Sequence, residues 1–101
     1  MNNKPTAPDI PRAVLARCAA ALRVLAHQNR LKIVELLAGR RLSVGELARR
    51  IDLPQAACSQ HLNLMRAHGL LAAERNGKTV NYRVANRSAL HIIDCIRSHE
   101  M

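Results

Sequence analysis

Residues 43–69 read SVGELARRIDLPQAACSQHLNLMRAHG, and the order of polar and apolar positions there decides the fold. Ser43-Val44-Gly45-Glu46 is Ser-x-x-Glu, a capping box whose hydroxyl and carboxylate satisfy the free amides of a helix start. Val44, Leu47, Ala48 and Ile51 follow at i, i+3, i+4 and i+7, one buried stripe. Asp52-Leu53 forms a turn. Pro54 fits the first position of the next helix, where a missing N–H costs nothing. Cys58, Leu62 and Met65 give that helix its inner face, and Gly69 ends it. Two helices joined by so short a turn make a helix-turn-helix.

The same reading extends to both sides. Upstream, Val14, Leu15, Cys18, Leu22, Leu25 and Ala26 recur at three and four, so a helix runs from Arg12 to Ala26. His27-Gln28-Asn29 interrupts it, and Asn29 is the expected N-cap of a second helix reaching about Ala38. Ile33, Val34, Leu36 and Leu37 are its apolar positions, and Gly39 stops it. Residues 1–11 are polar and Pro-rich, which predicts a flexible arm before a domain spanning 12–101.

Downstream, Leu70 to Arg75 leads into Asn76-Gly77, the strongest short hairpin signal. Val80, Tyr82 and Val84 alternate with polar residues, a half-buried strand. Asn86 or Ser88 then caps a last helix with Ala89, Ile92, Ile93 and Ile96 on its apolar side. The expected fold is mainly α with a small β-hairpin: helix, helix, helix-turn-helix, hairpin, helix. A hairpin directly after a helix-turn-helix makes a winged helix.

Composition narrows the function. The chain has 101 residues, with 16 Lys and Arg against 7 Asp and Glu, a formal charge of +9. That excess points to a polyanion, nucleic acid first and an anionic membrane second. With one Tyr and no Trp or Phe, base-stacking single-strand readers are disfavoured. No stretch is long enough to cross a bilayer, and the N-terminus lacks the apolar run of a signal peptide. Three cysteines at wide spacing are unlike a secreted disulfide framework, so the chain reads as cytoplasmic with reduced thiols. No nucleophile–base pairing, phosphate loop or open zinc motif argues for an enzyme.

At this point the residues resemble a known family. Leu25-Ala26-His27-Gln28-Asn29-Arg30-Leu31-Lys32-Ile33-Val34-Glu35-Leu36-Leu37 is similar to the second-helix signature of the ArsR/SmtB bacterial repressors. Ser43 to Ala48 resembles the start of their helix-turn-helix, and Ser59-Gln60-His61-Leu62 with Met65 to Leu71 their recognition helix and its exit. Arg75-Asn76-Gly77-Lys78 with Tyr82-Arg83-Val84 resembles their wing. The match runs in one uninterrupted order over roughly residues 12 to 97. It implies a homodimer joined by the first and last helices. Such a dimer binds double-stranded DNA at an inverted repeat and represses transcription until a metal ion or thiol-reactive signal releases it. A constitutive or architectural DNA binder without an effector would share every DNA-binding feature.

The fourth helix would enter the major groove. Gln55, Ala56, Ser59, Gln60, Asn63 and Arg66 point outward, and Gln pairs well with adenine. The resemblance places Ser59, Gln60 and His61 where the family contacts DNA. Arg75, Lys78 and Thr79 at the hairpin tip would reach phosphates or a minor groove. Arg40, Arg41, Arg49 and Arg50 add charge around the helix-turn-helix. Pro54 departs from the family, which often has a Ser there that caps the helix and bonds a phosphate.

For the signal, the family's Cys-x-Cys box in the third helix is replaced by Ser43-Val44-Gly45, and its Asp-x-His motif does not occur. His91, Cys95 and His99 stand at i, i+4 and i+8 on the last helix, a set that suits zinc or another thiophilic metal ion. Two surface histidines and a small buried thiol beside a dimer seam would show the same spacing. Cys18 and Cys95 lie on the two helices that the resemblance packs at the seam, a candidate thiol sensor. Cys58 is expected in the core.

Overall fold

The computed structural model describes residues 7–99. The expected N-terminal arm therefore lies partly outside the described residues, and 7–11 are exposed without regular structure. Five helices and a three-stranded sheet follow: α1 (Arg12–Leu25), α2 (Gln28–Leu37), β1 (Leu42–Ser43), α3 (Val44–Ile51), α4 (Gln55–Ala67), β2 (Leu71–Asn76), β3 (Thr79–Val84) and α5 (Arg87–His99). This is the winged helix-turn-helix architecture.

The capping box forms as written in the sequence. Ser43 N–H donates to Glu46 Oε1 at 3.0 Å and Glu46 N–H donates to Ser43 Oγ at 3.2 Å. The first of these bonds holds the Glu46 carboxyl below its ordinary range. Ser43→Ala is expected to lower the unfolding free energy by about 1 kcal/mol, measurable by urea denaturation. The turn after α3 puts Asp52 at φ 62°, in the left-handed region, a conformation that Asp tolerates better than most residues. Leu53 N–H then closes back onto the Ala48 carbonyl at 3.0 Å, so α4 starts at a fixed angle to α3.

Four local expectations are corrected. Asn29 does not cap α2: His27 does, its Nδ1 accepting from Asn29 N–H, because the helix starts two residues earlier than an Asn29 cap would need. Pro54 occupies the N-cap of α4 rather than its first turn, with φ −57° and ψ 143°. Pro fixes that φ and still lends its carbonyl to Cys58 N–H. The hairpin turns on Gly77-Lys78, since Asn76 still pairs with Thr79. Gly77 takes φ 67°, the positive value a Gly-first two-residue turn requires. Finally, the sheet has a third strand. Leu42 and Ser43 pair antiparallel with Tyr82 and Asn81, giving the order β1-β3-β2. Two residues carry no periodicity, which is why the sequence shows no strand there. Of the two caps expected for α5, Asn86 provides it, its Oδ1 accepting from Ser88 N–H.

The core lies where α2, α3, α4 and the sheet converge. Ile33, Val34, Leu37, Leu47, Cys58, Leu62, Met65 and Leu70 are its most enclosed side chains, and among the described residues no buried polar side chain interrupts it. On the sheet, Leu71, Ala73, Tyr82 and Val84 share the inner face, while Glu74, Asn81 and Arg83 share the outer one. α1 reaches beyond this core, with only Val24 and Leu25 buried. Leu15 and Leu22 are half exposed, at 50% and 51%, and Ile96 on α5 is 43% exposed. No helix among the described residues is long and apolar enough to cross a membrane.

Candidate nucleic-acid interface

α4 is amphipathic in a way that leaves a polar face outside. Cys58, Leu62 and Met65 are buried. Gln60, Asn63 and Arg66 are exposed, Ser59 is half-buried at the flank, and Gln55 is exposed at the helix start. Gln55 leans back toward α3, since a Cβ added to Gly45 would stand 3.8 Å from its Oε1. Gln60 and Asn63 thus present free amides, the group that reads base edges bidentately.

His61 stands apart from that set. It lies about 200° around the helix from Ser59, and its ring turns toward the start of α2. Arg30 Nε–H donates to His61 Nδ1 at 3.1 Å, and the His27 ring lies 4.7 Å away, centroid to centroid. Burial, with His27 and Arg30 beside it, holds this imidazole below the usual histidine range. The family places His61 at the DNA; in this fold its Nδ1 is already used. Neither Arg30 nor His27 was legible as a site residue, because 31 residues separate the bonded pair.

Arg75, Lys78 and Thr79 are exposed at and beside the hairpin tip. Among the described residues, Arg66, Arg75 and Lys78 have no carboxylate within 4 Å. Other cations are taken. Glu74 pairs with Arg83 at 2.6 Å and with Arg41 at 3.3 Å, tying the outer face of the wing to the segment before β1. Arg40 Nε donates to the Leu36 carbonyl at 2.7 Å, closing the end of α2. Part of the positive excess is therefore paired at the base of the wing, while Arg75 and Lys78 at its tip and Arg66 on α4 have no such partner among the described residues.

The thiols divide into two kinds. Cys58 is fully buried, and burial pushes its thiol up from its ordinary value, which suits a core position and an unreactive sulfur. Cys18 and Cys95 are exposed and free, and within one chain no bond joins them. Cys95 Sγ lies 3.8 Å from His99 Nδ1, but that nitrogen is closer to the Cys95 carbonyl, at 2.7 Å. Among the described residues no group of three His, Cys, Asp or Glu comes together to hold a metal ion. His91 therefore does not complete a set with Cys95 and His99, and the three do not fit zinc within one chain: i to i+8 spans two turns of helix, too far for one ion.

Comparison with known proteins places this geometry. The helix-turn-helix domain family matches residues 25–74. The transcriptional activator HlyU of Vibrio cholerae is 35% identical over 81 residues, covering 80% of this chain and 75% of that protein. Its structure superimposes with a TM-score of 0.81 over 87% of this chain and 96% of its own. The transcriptional repressor SmtB of Mycobacterium tuberculosis is 38% identical over 83 residues, 82% of this chain; the match spans 62% of SmtB. A homodimeric winged helix-turn-helix DNA-binding domain from Mycobacterium bovis, described as a possible ArsR-family transcriptional regulator, has a TM-score of 0.78 at 25% identity. It covers 95% of this chain and 89% of that domain. The matched segment, the uninterrupted order of elements and these relatives agree: the chain belongs to the ArsR/SmtB family of winged helix-turn-helix transcriptional regulators.

Proposed function

We propose that this DNA-binding regulator works in the cytoplasm as a homodimeric repressor, reading an inverted repeat with α4 and holding the backbone with its wing. The observation that carries this is the polar face of α4. Gln60, Asn63 and Arg66 stand exposed, while among the described residues the cations of the wing tip have no carboxylate to neutralise them. Gln60 and Asn63 supply base readout, with Gln55 and Ser59 at the flank, and His61 contributes through its packing. Arg66, Arg75, Lys78 and Thr79 supply phosphate contacts. Lys78→Ala is expected to weaken binding alike on all sequences and to flatten the salt slope by about one. An unchanged slope in a salt titration removes the wing from the interface.

Dimer formation uses α1 and α5. Leu15, Leu22 and Ile96 are exposed apolar side chains on those two helices, a surface that a second copy would cover. The Mycobacterium bovis relative is a homodimer. Release by a signal acts through Cys18 and Cys95, the two exposed thiols, which a dimer seam between α1 and α5 would bring near each other. Operator binding with and without zinc, arsenite, oxidant or a sulfide donor tests this. Loss of affinity in the wild type but not in Cys18→Ser or Cys95→Ser supports thiol sensing. Affinity unchanged by all of them favours the constitutive DNA binder.

A further inference from the structure

Besides its apolar packing, the recognition helix is tied to α1 and α2 by a polar clasp. Arg30 near the start of α2 donates twice: Nη1–H to the Val24 carbonyl at the end of α1, and Nε–H to His61 Nδ1 on α4, each at 3.1 Å. His27 packs its ring on His61 and uses its own Nδ1 to cap α2. Both imidazoles therefore act as acceptors at Nδ1. An accepting nitrogen carries no proton, so His61 is a neutral ring while it holds Arg30, its proton on Nε2.

We propose that Arg30 and His27 position α4 through His61, and that protonation of His61 releases this clasp and lowers operator affinity. The inference rests on the reading of α4 as the DNA-reading helix. Adding a proton to His61 Nδ1 removes the lone pair that Arg30 uses. It also sets an imidazolium against the Arg30 guanidinium in a part-buried site, where the repulsion is poorly screened.

The groups around the clasp do not offset that charge. α1 offers the Val24 carbonyl, which Arg30 already occupies. α2 offers His27 and Arg30 itself. The cleft that His27 borders also holds Arg50 of α3 and Arg97 of α5. Its one carboxylate, Glu35, is bonded to Lys32 at 2.8 Å and paired with Arg97 at 3.9 Å. α4 has no acidic residue. Among the described residues no carboxylate stands within 4 Å of either imidazole.

The direction of the effect follows. The folded chain holds His61 below the ordinary histidine value, so the clasp is intact above about pH 6.5 and is lost as pH falls through the folded value. A direct contact between an imidazolium at His61 and phosphate would give the opposite sign, with affinity rising on acidification.

The test is operator affinity between about pH 8 and about pH 5.5 at fixed salt, on a duplex that the protein itself selects from random sequence at the higher pH. The wild type is expected to lose about tenfold in affinity, within the usual range for two coupled sites. His61→Gln, whose amide oxygen accepts from Arg30 but does not titrate, is expected to lose little on acidification. His27→Asn keeps the helix cap and opens the packed side of His61 to water, easing the burial that holds it down, so its loss begins at a higher pH. Affinity that rises or stays level in the wild type overturns the proposal. So does an acid loss retained in His61→Gln, or a loss of helical circular dichroism over the same range. Failure to select any duplex at the higher pH would instead overturn the reading of α4 on which the proposal rests.

Discussion

Leu22→Asp is expected to leave the chain folded and monomeric, with operator affinity reduced by at least about 100-fold. Leu22 is half exposed in the single chain, so a carboxylate there meets water in the monomer and adds little strain. In a dimer built on α1 and α5 the same carboxylate would be buried without a partner, which is strongly unfavourable. Losing the second subunit turns two linked half-site contacts into one, and the linkage contributes about 100- to 10,000-fold to affinity. Sedimentation velocity measures the oligomer and a gel-shift titration the affinity. A Leu22→Asp dimer with unchanged affinity would place the interface elsewhere.

Gln60→Ala is the second large effect. Gln60 is exposed on α4, away from the buried Cys58, Leu62 and Met65. Stability should therefore change little. A bidentate amide contact to a base is worth about 1–3 kcal/mol of discrimination, which is about fivefold to 150-fold in specific affinity. Binding to random-sequence DNA is carried by phosphates and should hold. Equal losses on specific and nonspecific duplexes would remove Gln60 from base readout.

Residues 43–69 make clear why the fold was legible before the structure. The capping box, the stripe from Val44 to Ile51 and the inner face Cys58-Leu62-Met65 are all local, within one turn or two of helix. Each reappears in the structure. Two departures have local causes: His27 takes the cap because α2 begins at Gln28, and the hairpin turns on Gly77-Lys78 with Gly77 at positive φ; the third, strand β1, forms only by pairing with distant β3.

The site was legible by position and less so by partnership. That Gln60, Asn63 and Arg66 point outward follows from helical spacing. That His61 faces Arg30 depends on how α4 packs against the start of α2, a contact across 31 residues. Likewise Arg41 counted as charge around the helix-turn-helix until Glu74 is found between it and Arg83. His91, Cys95 and His99 were legible as ligand types on one helix; within one chain they span two turns, so a shared ion would need ligands from the last helix of a second copy.

The central claim is that two copies of α4 read two halves of one DNA site. Selection from a pool of random double-stranded DNA tests it most directly. The expected result is one enriched motif, an inverted repeat with half-site centres about one helical turn or a multiple apart, bound by two chains per duplex. Enrichment of a single unpaired motif bound by one chain, or no enrichment over random sequence, would contradict it.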